Sequence, residues 1–452
     1  MARARHVCRR SSRSTSCSGS ATRCCCAAPT RPIAWARRSP ISGAQAAPIF
    51  RTFGKFGAAI DGVAFHNLWD RMRRKGLAAT LEDHSLAVVA ARLGRFAPPA
   101  TDLDSILSTY DHAWHWDGAA YRRLLRVAAE RAGVTRIEGE VADVARRGSD
   151  GFIEAVVLAD GRRLEADLFL DCTPEGALIE GVLQSGWEDW RRWLPCDRVV
   201  ALRCERAGDP PPHWQAQAHA SGWRWRIPML GSDGVGHVYA SGFSSDDTAE
   251  AELRAALGGA RSTPAKLASF ASGRRRKMWI ANCVAIGASA CVLDPIEPTA
   301  LQIIQEGLGN LLGLLPYRNR ADGEVDEFNR LMSETVERMR DFLILHYKAN
   351  AHAEPFWTER RAAPVPELLA HKLRLFEASG RVIEWDEESF FEADWVAVYF
   401  GQGVVPRHYD ALADVPDAKL VRDRMAEMRK AIQAAAEAMP THRAAIEAGL
   451  RG

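Results

Sequence analysis

The stretch NCVAIGASACVLDPIEPTALQIIQEGLGNLLGLL, residues 282–315, opens with a short apolar strand from Cys283 to Ile286 that ends in Gly287 and Ala288. The turn Asp294-Pro295-Ile296-Glu297-Pro298 then feeds a helix whose first turn holds Thr299 and Ala300. Backbone N–H groups at a helix start lack intrahelical partners and carry the positive end of the helix dipole. They therefore favour an anion or an electron-rich ring edge. Small residues such as Gly287, Ala288, Ser289 and Ala300 let a flat ligand approach the backbone closely. A plain strand–turn–helix connection would use the same residues, so the stretch proposes a site without assigning its chemistry.

The chain has 452 residues, too many for one small core, which implies two or three lobes. No run approaches the ~18 apolar residues of a membrane span, so no transmembrane helix is expected. Residues 1–40 hold nine Arg and no acid, leaving 50 basic against 57 acidic residues in the remainder. That mildly acidic body argues against a nucleic-acid partner. Cys8, Cys17, Cys24, Cys25 and Cys26 crowd the start. Cys172, Cys196, Cys204, Cys283 and Cys291 are scattered among apolar residues without C-x-x-C spacing. The latter read as reduced core thiols of a cytoplasmic enzyme, and no metal site is expected.

Residues 1–48 show neither helical nor strand period and read as an aberrant or disordered leader. From Phe50 the chain becomes coherent, with helical spacing over Ile60–Met72 and Ser85–Phe96. DHAWHWD, residues 111–117, offers His112 and His115, but a strand would point them to opposite faces, away from a shared ion. Asp117 is placed to cap the helix GAAYRRLLRVAAERAG, which Gly133 ends. Short β-like runs with turns at Ser149-Asp150-Gly151 and Asp160-Gly161 follow, up to Cys172. Trp187, Trp190, Trp193, Trp214, Trp223 and Trp225 crowd one region, more in the manner of a core than of a ligand cage. In WRWRIP, residues 223–228, alternation puts both Trp on one strand face and both Arg on the other. GRRRK, residues 273–277, reads as a solvated turn. Beyond Leu315 the pattern is helical over Val325–Tyr347, Val365–Ala378 and Ala418–Ala438.

DPIEPTA and WRWRIP, with FRTFGKFG, FHNLW, DGAAYRRLL, DLFLDC, WLPCDR, GRRRK before NCVAIG, and RDFLILHY, resemble the flavin-dependent tryptophan halogenases in kind and order over roughly Phe50 to Tyr409. The resemblance implies an α/β fold: a flavoprotein-monooxygenase-like, Rossmann-type sheet lobe over residues 49–315, incomplete at its start, and a mostly helical substrate-covering lobe over 316–452. It implies that FADH2 from a separate flavin reductase, oxygen and chloride or bromide yield hypohalous acid, which halogenates a small electron-rich aromatic such as tryptophan or indole. A homodimer is compatible with this. By position, Glu297 falls on the catalytic glutamate, and Thr299 and Ala300 on the halide positions. Val141, Gly287, Ala288, Asp294, Pro295 and Leu301 fall on flavin contacts, and Phe53, Trp223 and Trp225 on the substrate side. Arg51 stands where the family has a His, and Pro174 where it has a Gly.

The family also begins with a strand, a G-x-G-x-x-G turn and a G-E-A-T-like segment followed by a lysine; residues 1–48 contain none of these. A shifted reading frame or truncated gene is the first expectation for this leader, a targeting segment the second. Two other functions stay open at this level: an inactive halogenase-like protein, and a flavin-dependent aromatic hydroxylase.

Overall fold

The computed structural model describes residues 26–28, 30–34, 49–115, 117–316 and 322–449. The strand heading the 282–315 stretch forms at Cys283–Ala285, with all three residues buried. It pairs in parallel with Phe169–Asp171, from DLFLDC, and antiparallel with Trp279–Ile280. Asn282 fastens this small sheet to a second one. Its side chain accepts from the Ile153 N–H at 2.9 Å and donates to the Ile153 and Asp167 carbonyls at 2.8 and 3.2 Å. A buried amide satisfied on both its oxygen and its nitrogen carries little desolvation penalty and fixes the relative position of the two sheets. The second sheet is the antiparallel set Val141–Arg146, Ile153–Leu158 and Arg163–Glu165. Its turns carry Gly151 and Gly161 at φ +73° and +87°, as the turn signals require.

A larger sheet of seven strands runs in the order Lys266–Ser269, Arg198–Glu205, Ser232–Tyr239, Gly222–Pro228, Gln215–His219, Thr30–Ala34, Ile49–Thr52. Neighbours are antiparallel except Gln215–His219 with Thr30–Ala34. WRWRIP is the middle strand, and its alternation holds. Trp223 and Trp225 join the main core, while Arg224 reaches Glu252 on the helix Asp246–Ala255 and Arg226 faces Asp233. The Trp face also dictates its neighbour: a Cβ on Gly236 would lie 2.3 Å from the Trp225 indole.

Three expectations are corrected here. GRRRK is not a solvated turn: Gly273–Arg275 is a strand, and Arg275 is buried, donating to Glu180 and to the Glu175 and Ser289 carbonyls. Cys26–Ala28 and Thr30–Ala34 are strands, although their stretch shows no strand period; the rest of residues 1–48 lies outside the described residues. Their order comes from pairing with Ala113–His115 and with both Ile49–Thr52 and Gln215–His219, which local pattern does not encode. The helix expected from Ile60 starts at Phe65, because Asp61 and Gly62 take positive φ in a tight turn closed between Ile60 and Val63. The other helices form close to their expected spans: Leu86–Arg92, Gly118–Arg131, Asp322–Lys348, Glu367–Ser379 and Ala418–Ala438. Asp117 caps its helix through the Ala119 and Ala120 N–H groups, and Arg203 together with those amides holds its carboxyl down at about 2.

The main core runs across residue 315: Trp190, Trp223 and Trp279 pack with Phe328, Phe342, Tyr347, Trp357 and Trp395. A second core joins Phe56–Val88 to Val396, Val421 and Met425. Among the described residues no helix is long and apolar enough to cross a membrane.

Candidate functional site

Pro295 and Pro298 lack N–H groups and have fixed φ, so the turn between strand and helix cannot be drawn into either. The helix Ala300–Gly313 begins behind Thr299, which sits at φ −79°, ψ −16°. Its stripe Ile303, Gly307 and Leu311 is buried, and Gly287, at φ +70°, packs so closely that a Cβ there would lie 2.9 Å from Ile304. This contact seats the turn as a partition with two unlike faces. Ala288, Pro295, Pro298, Ala300 and Leu301 are exposed; Asp294, Ile296, Glu297 and Thr299 are buried.

On the buried face, two carboxylates meet the C-terminal end of the long helix Asp322–Lys348. Asp294 accepts from the Ile296 N–H at 3.0 Å and from the Tyr347 hydroxyl at 2.7 Å. The same hydroxyl lies 3.3 Å from the Cys196 sulfur. Burial pushes the Asp294 acid up to about 6, against the pull of Tyr347, the Ile296 amide, Trp223 and Cys196. Burial also pushes the Cys196 thiol and the Tyr347 phenol well up, so neither ionises at neutral pH.

Glu297 Oε1 lies 3.7 Å from His346 Nε2, and neither side chain is exposed to solvent. His346 Nδ1 is 3.0 Å from the Phe342 carbonyl and donates to it. The two buried side chains are thus close neighbours, with the ring held from its other side by the Phe342 carbonyl. Phe342 stands edge-on to His346, stacks on Phe390 at 4.0 Å and meets Trp395 edge-on. The carboxylate is thus set in an aromatic wall.

The exposed face has small side chains, the open helix start and a backbone suited to amide donation. Ala300 is not among the positive-φ residues, so the Cβ that replaces the family's glycine imposes no strain. The Thr299 N–H already donates to the Glu297 carbonyl at 2.8 Å.

The remaining expected residues are distributed. Trp223 is buried beside Asp294 and Trp225 is half-buried behind it on the same strand face. Val141 is half-exposed at the edge strand of the three-stranded sheet that Asn282 fastens. Phe53 is half-buried beside the bridge between Gly54 and Tyr110. His346 and Tyr347 carry no role in the sequence reading, although RDFLILHY contains both; only the packing of that helix end on the turn brings them to Glu297 and Asp294. In DHAWHWD, His112 packs against Phe96 and Trp114, and His115 Nδ1 bonds the Pro228 carbonyl at 2.9 Å, so each ring has its own neighbours. A cleft of about 510 Å³ between Arg338, His371, Trp385 and Glu367 lies on the helical surface and does not include Glu297.

Comparison with known proteins gives a consistent result. The tryptophan halogenase family model matches residues 33–418, so the likeness starts before Phe50. The solved flavin-dependent halogenase BrvH from Brevundimonas sp. BAL3 superposes with a TM-score of 0.88 at 38% identity, covering 94% of this chain and 86% of that one. Xcc4156 from Xanthomonas campestris, also a flavin-dependent halogenase, gives 0.88 at 33% identity over 94% and 84%. Tryptophan 7-halogenase RebH of Lentzea aerocolonigenes is 32% identical over 275 residues, 59% of this chain. The matched stretch spans only 52% of that relative's length.

Proposed function

This chain belongs to the tryptophan halogenase family, and from that premise we propose that it is a flavin-dependent halogenase of an electron-rich aromatic such as tryptophan or indole. The observation that carries the reading is the two-faced turn: an exposed helix start on one side, and the buried Glu297–His346 pair on the other. The small exposed residues fit a flat ring laid against them. Gly287, Ala288, Pro295 and Leu301 would line FAD, with Val141 toward its adenine end. Asp294 contributes through the shape of the turn, since its carboxylate is spent on Ile296 and Tyr347. FADH2, delivered by a separate reductase, supplies together with oxygen the oxidising power to turn chloride or bromide into hypohalous acid.

The chain's own residues do the rest. The Ala300 and Leu301 amides have no intrahelical acceptor and sit at the positive end of the helix, so they hold the halide first; Thr299 shares it only by releasing the Glu297 carbonyl. Glu297 Oε1 receives the proton the aromatic ring loses, with His346 Nε2 as its partner. Trp223 and Trp225 wall the substrate side off from the exposed face, which separates this reading from a hydroxylase whose substrate meets the flavin directly. The reading places the enzyme in the cytoplasm, consistent with the free thiols of Cys172, Cys196, Cys204, Cys283 and Cys291.

The test is a coupled reaction with a flavin reductase, NADH, excess FAD, oxygen, tryptophan or indole, and either chloride or bromide, read by mass spectrometry. Ring-halogenated product that depends on halide supports the reading. Hydroxylated product, or oxidation of reduced flavin with no modified ring for either substrate, overturns it.

A further inference from the structure

The Arg face of the WRWRIP strand turns away from the core described above, toward the helix Asp246–Ala255. Pairing aligns Gln217, Arg224 and His237 across three adjacent strands. His219, two residues beyond Gln217, shares their face by the pleat. The helix sets Glu252 over them. His219 Nδ1 lies 3.5 Å and His237 Nδ1 3.9 Å from Glu252 Oε2, and the three donors lie within 4.8 Å of one another. The two imidazole rings stand edge-to-face at 4.9 Å. His237 is fully buried with its Nδ1 3.4 Å from the Ala249 carbonyl, and His219 Nδ1, the nitrogen turned toward Glu252, has no hydrogen-bond partner. A buried imidazole nitrogen left without a partner is costly unless something takes its lone pair.

We propose that His219, His237 and Glu252 form a binding site for a divalent ion of the zinc class, with solvent completing the coordination. Two imidazoles and one carboxylate are a zinc donor set, and bonds of about 2.0–2.1 Å place tetrahedral ligands about 3.3–3.4 Å apart. The two measured separations to Glu252 need only close by a few tenths of an ångström. Binding through Nδ1 requires each neutral ring to carry its proton on Nε2, so His237 must release the Ala249 carbonyl as it takes the ion. Glu354 adds negative charge near His219.

Arg224 is the competitor. Its guanidinium is 2.8 Å from His219 Nε2 and 3.4 Å from Glu252 Oε2. A metal on His219 Nδ1 would leave the proton on Nε2, where it would oppose the Arg224 N–H. Binding therefore requires this half-buried side chain to swing aside, so that metal and guanidinium exclude each other at one carboxylate. Bound, the ion would clamp the helix Asp246–Ala255 to two strands of the sheet, Gln215–His219 and Ser232–Tyr239.

The experiment uses the full chain with Cys8, Cys17, Cys24, Cys25 and Cys26 replaced by Ser, since those thiols would take zinc themselves. After chelator treatment, calorimetric titration with zinc should show one equivalent bound and a rise in unfolding temperature. Glu252→Gln and His219→Ala, both at partly exposed positions, should each weaken binding by about 10–100-fold, and Arg224→Gln should tighten it. The proposal is overturned if the parent binds no zinc, if Glu252→Gln and His219→Ala bind as the parent does, or if Arg224→Gln fails to tighten binding.

Discussion

Glu297 and Asp294 are three residues apart, both buried, and meet neighbouring residues of one helix, yet the proposed function gives them different work. Asp294 has its partners within the protein, whereas Glu297 faces a ring that can take or give a proton. Glu297→Gln should therefore cut halogenation by ~10²–10³-fold, the usual effect of losing one preorganised electrostatic group. Flavin oxidation, which the proposed function rests on backbone amides, should stay near the parental rate, with peroxide accumulating in place of product. Equal halogenation by the variant would make Glu297 only a helix-start carboxylate. For Asp294, the sign follows from its raised pKa. Between the ordinary carboxylate value and about 6, the folded protein holds a proton the unfolded chain has released, so this group's contribution falls as pH rises through that window. Denaturant titrations of the parent and of Asp294→Asn should show the parent's relative stability dropping by about 1–3 kcal/mol from pH 4 to pH 7. A pH-independent difference would show that the carboxyl keeps its ordinary acidity.

At the scale of elements, the middle strand of the large sheet makes the sharpest demand. Trp225 lies over Gly236, so Gly236→Ala puts a methyl into the indole and should cost about 1–3 kcal/mol through overpacking. A urea midpoint unchanged from the parent would mean that the Trp225 ring has room to move. The strand's two faces were legible in WRWRIP because alternation is a local property of the backbone. So were the cap at Asp117 and the helices beyond Leu315. The turn at Asp61-Gly62 was not: apolar spacing continues through it, and only the positive φ of both residues breaks the helix there.

Over the whole molecule, residues far apart in the chain share cores, with Phe56–Val88 packing on the helices near Val396 and Val421. The flavin contacts named for this chain lie at the turn and at Val141, and residues 1–48 contain no G-x-G-x-x-G cradle for a pyrophosphate. Each charged backbone contact in such a cradle is worth about 1 kcal/mol or more. FAD should therefore bind this chain more weakly than micromolar, as fluorescence titration of the purified protein can show. Tight, stoichiometric FAD would mean that other residues hold the pyrophosphate.

The sequence alone determined the strand–turn–helix at 282–315, the prolines that isolate its turn and the candidacy of Glu297, because turn chemistry, capping and period act between near neighbours. It also held the family likeness, in motifs whose order survives without any contact being known. Only the tertiary structure decided which face of the turn is buried, and that His346 and Tyr347 answer Glu297 and Asp294 across 49 and 53 positions of the chain. It alone brought His219, His237 and Glu252 together and ordered two strands in the leader. Side-chain pairing across such separations depends on how helices and sheets pack, and no local pattern in the chain encodes it.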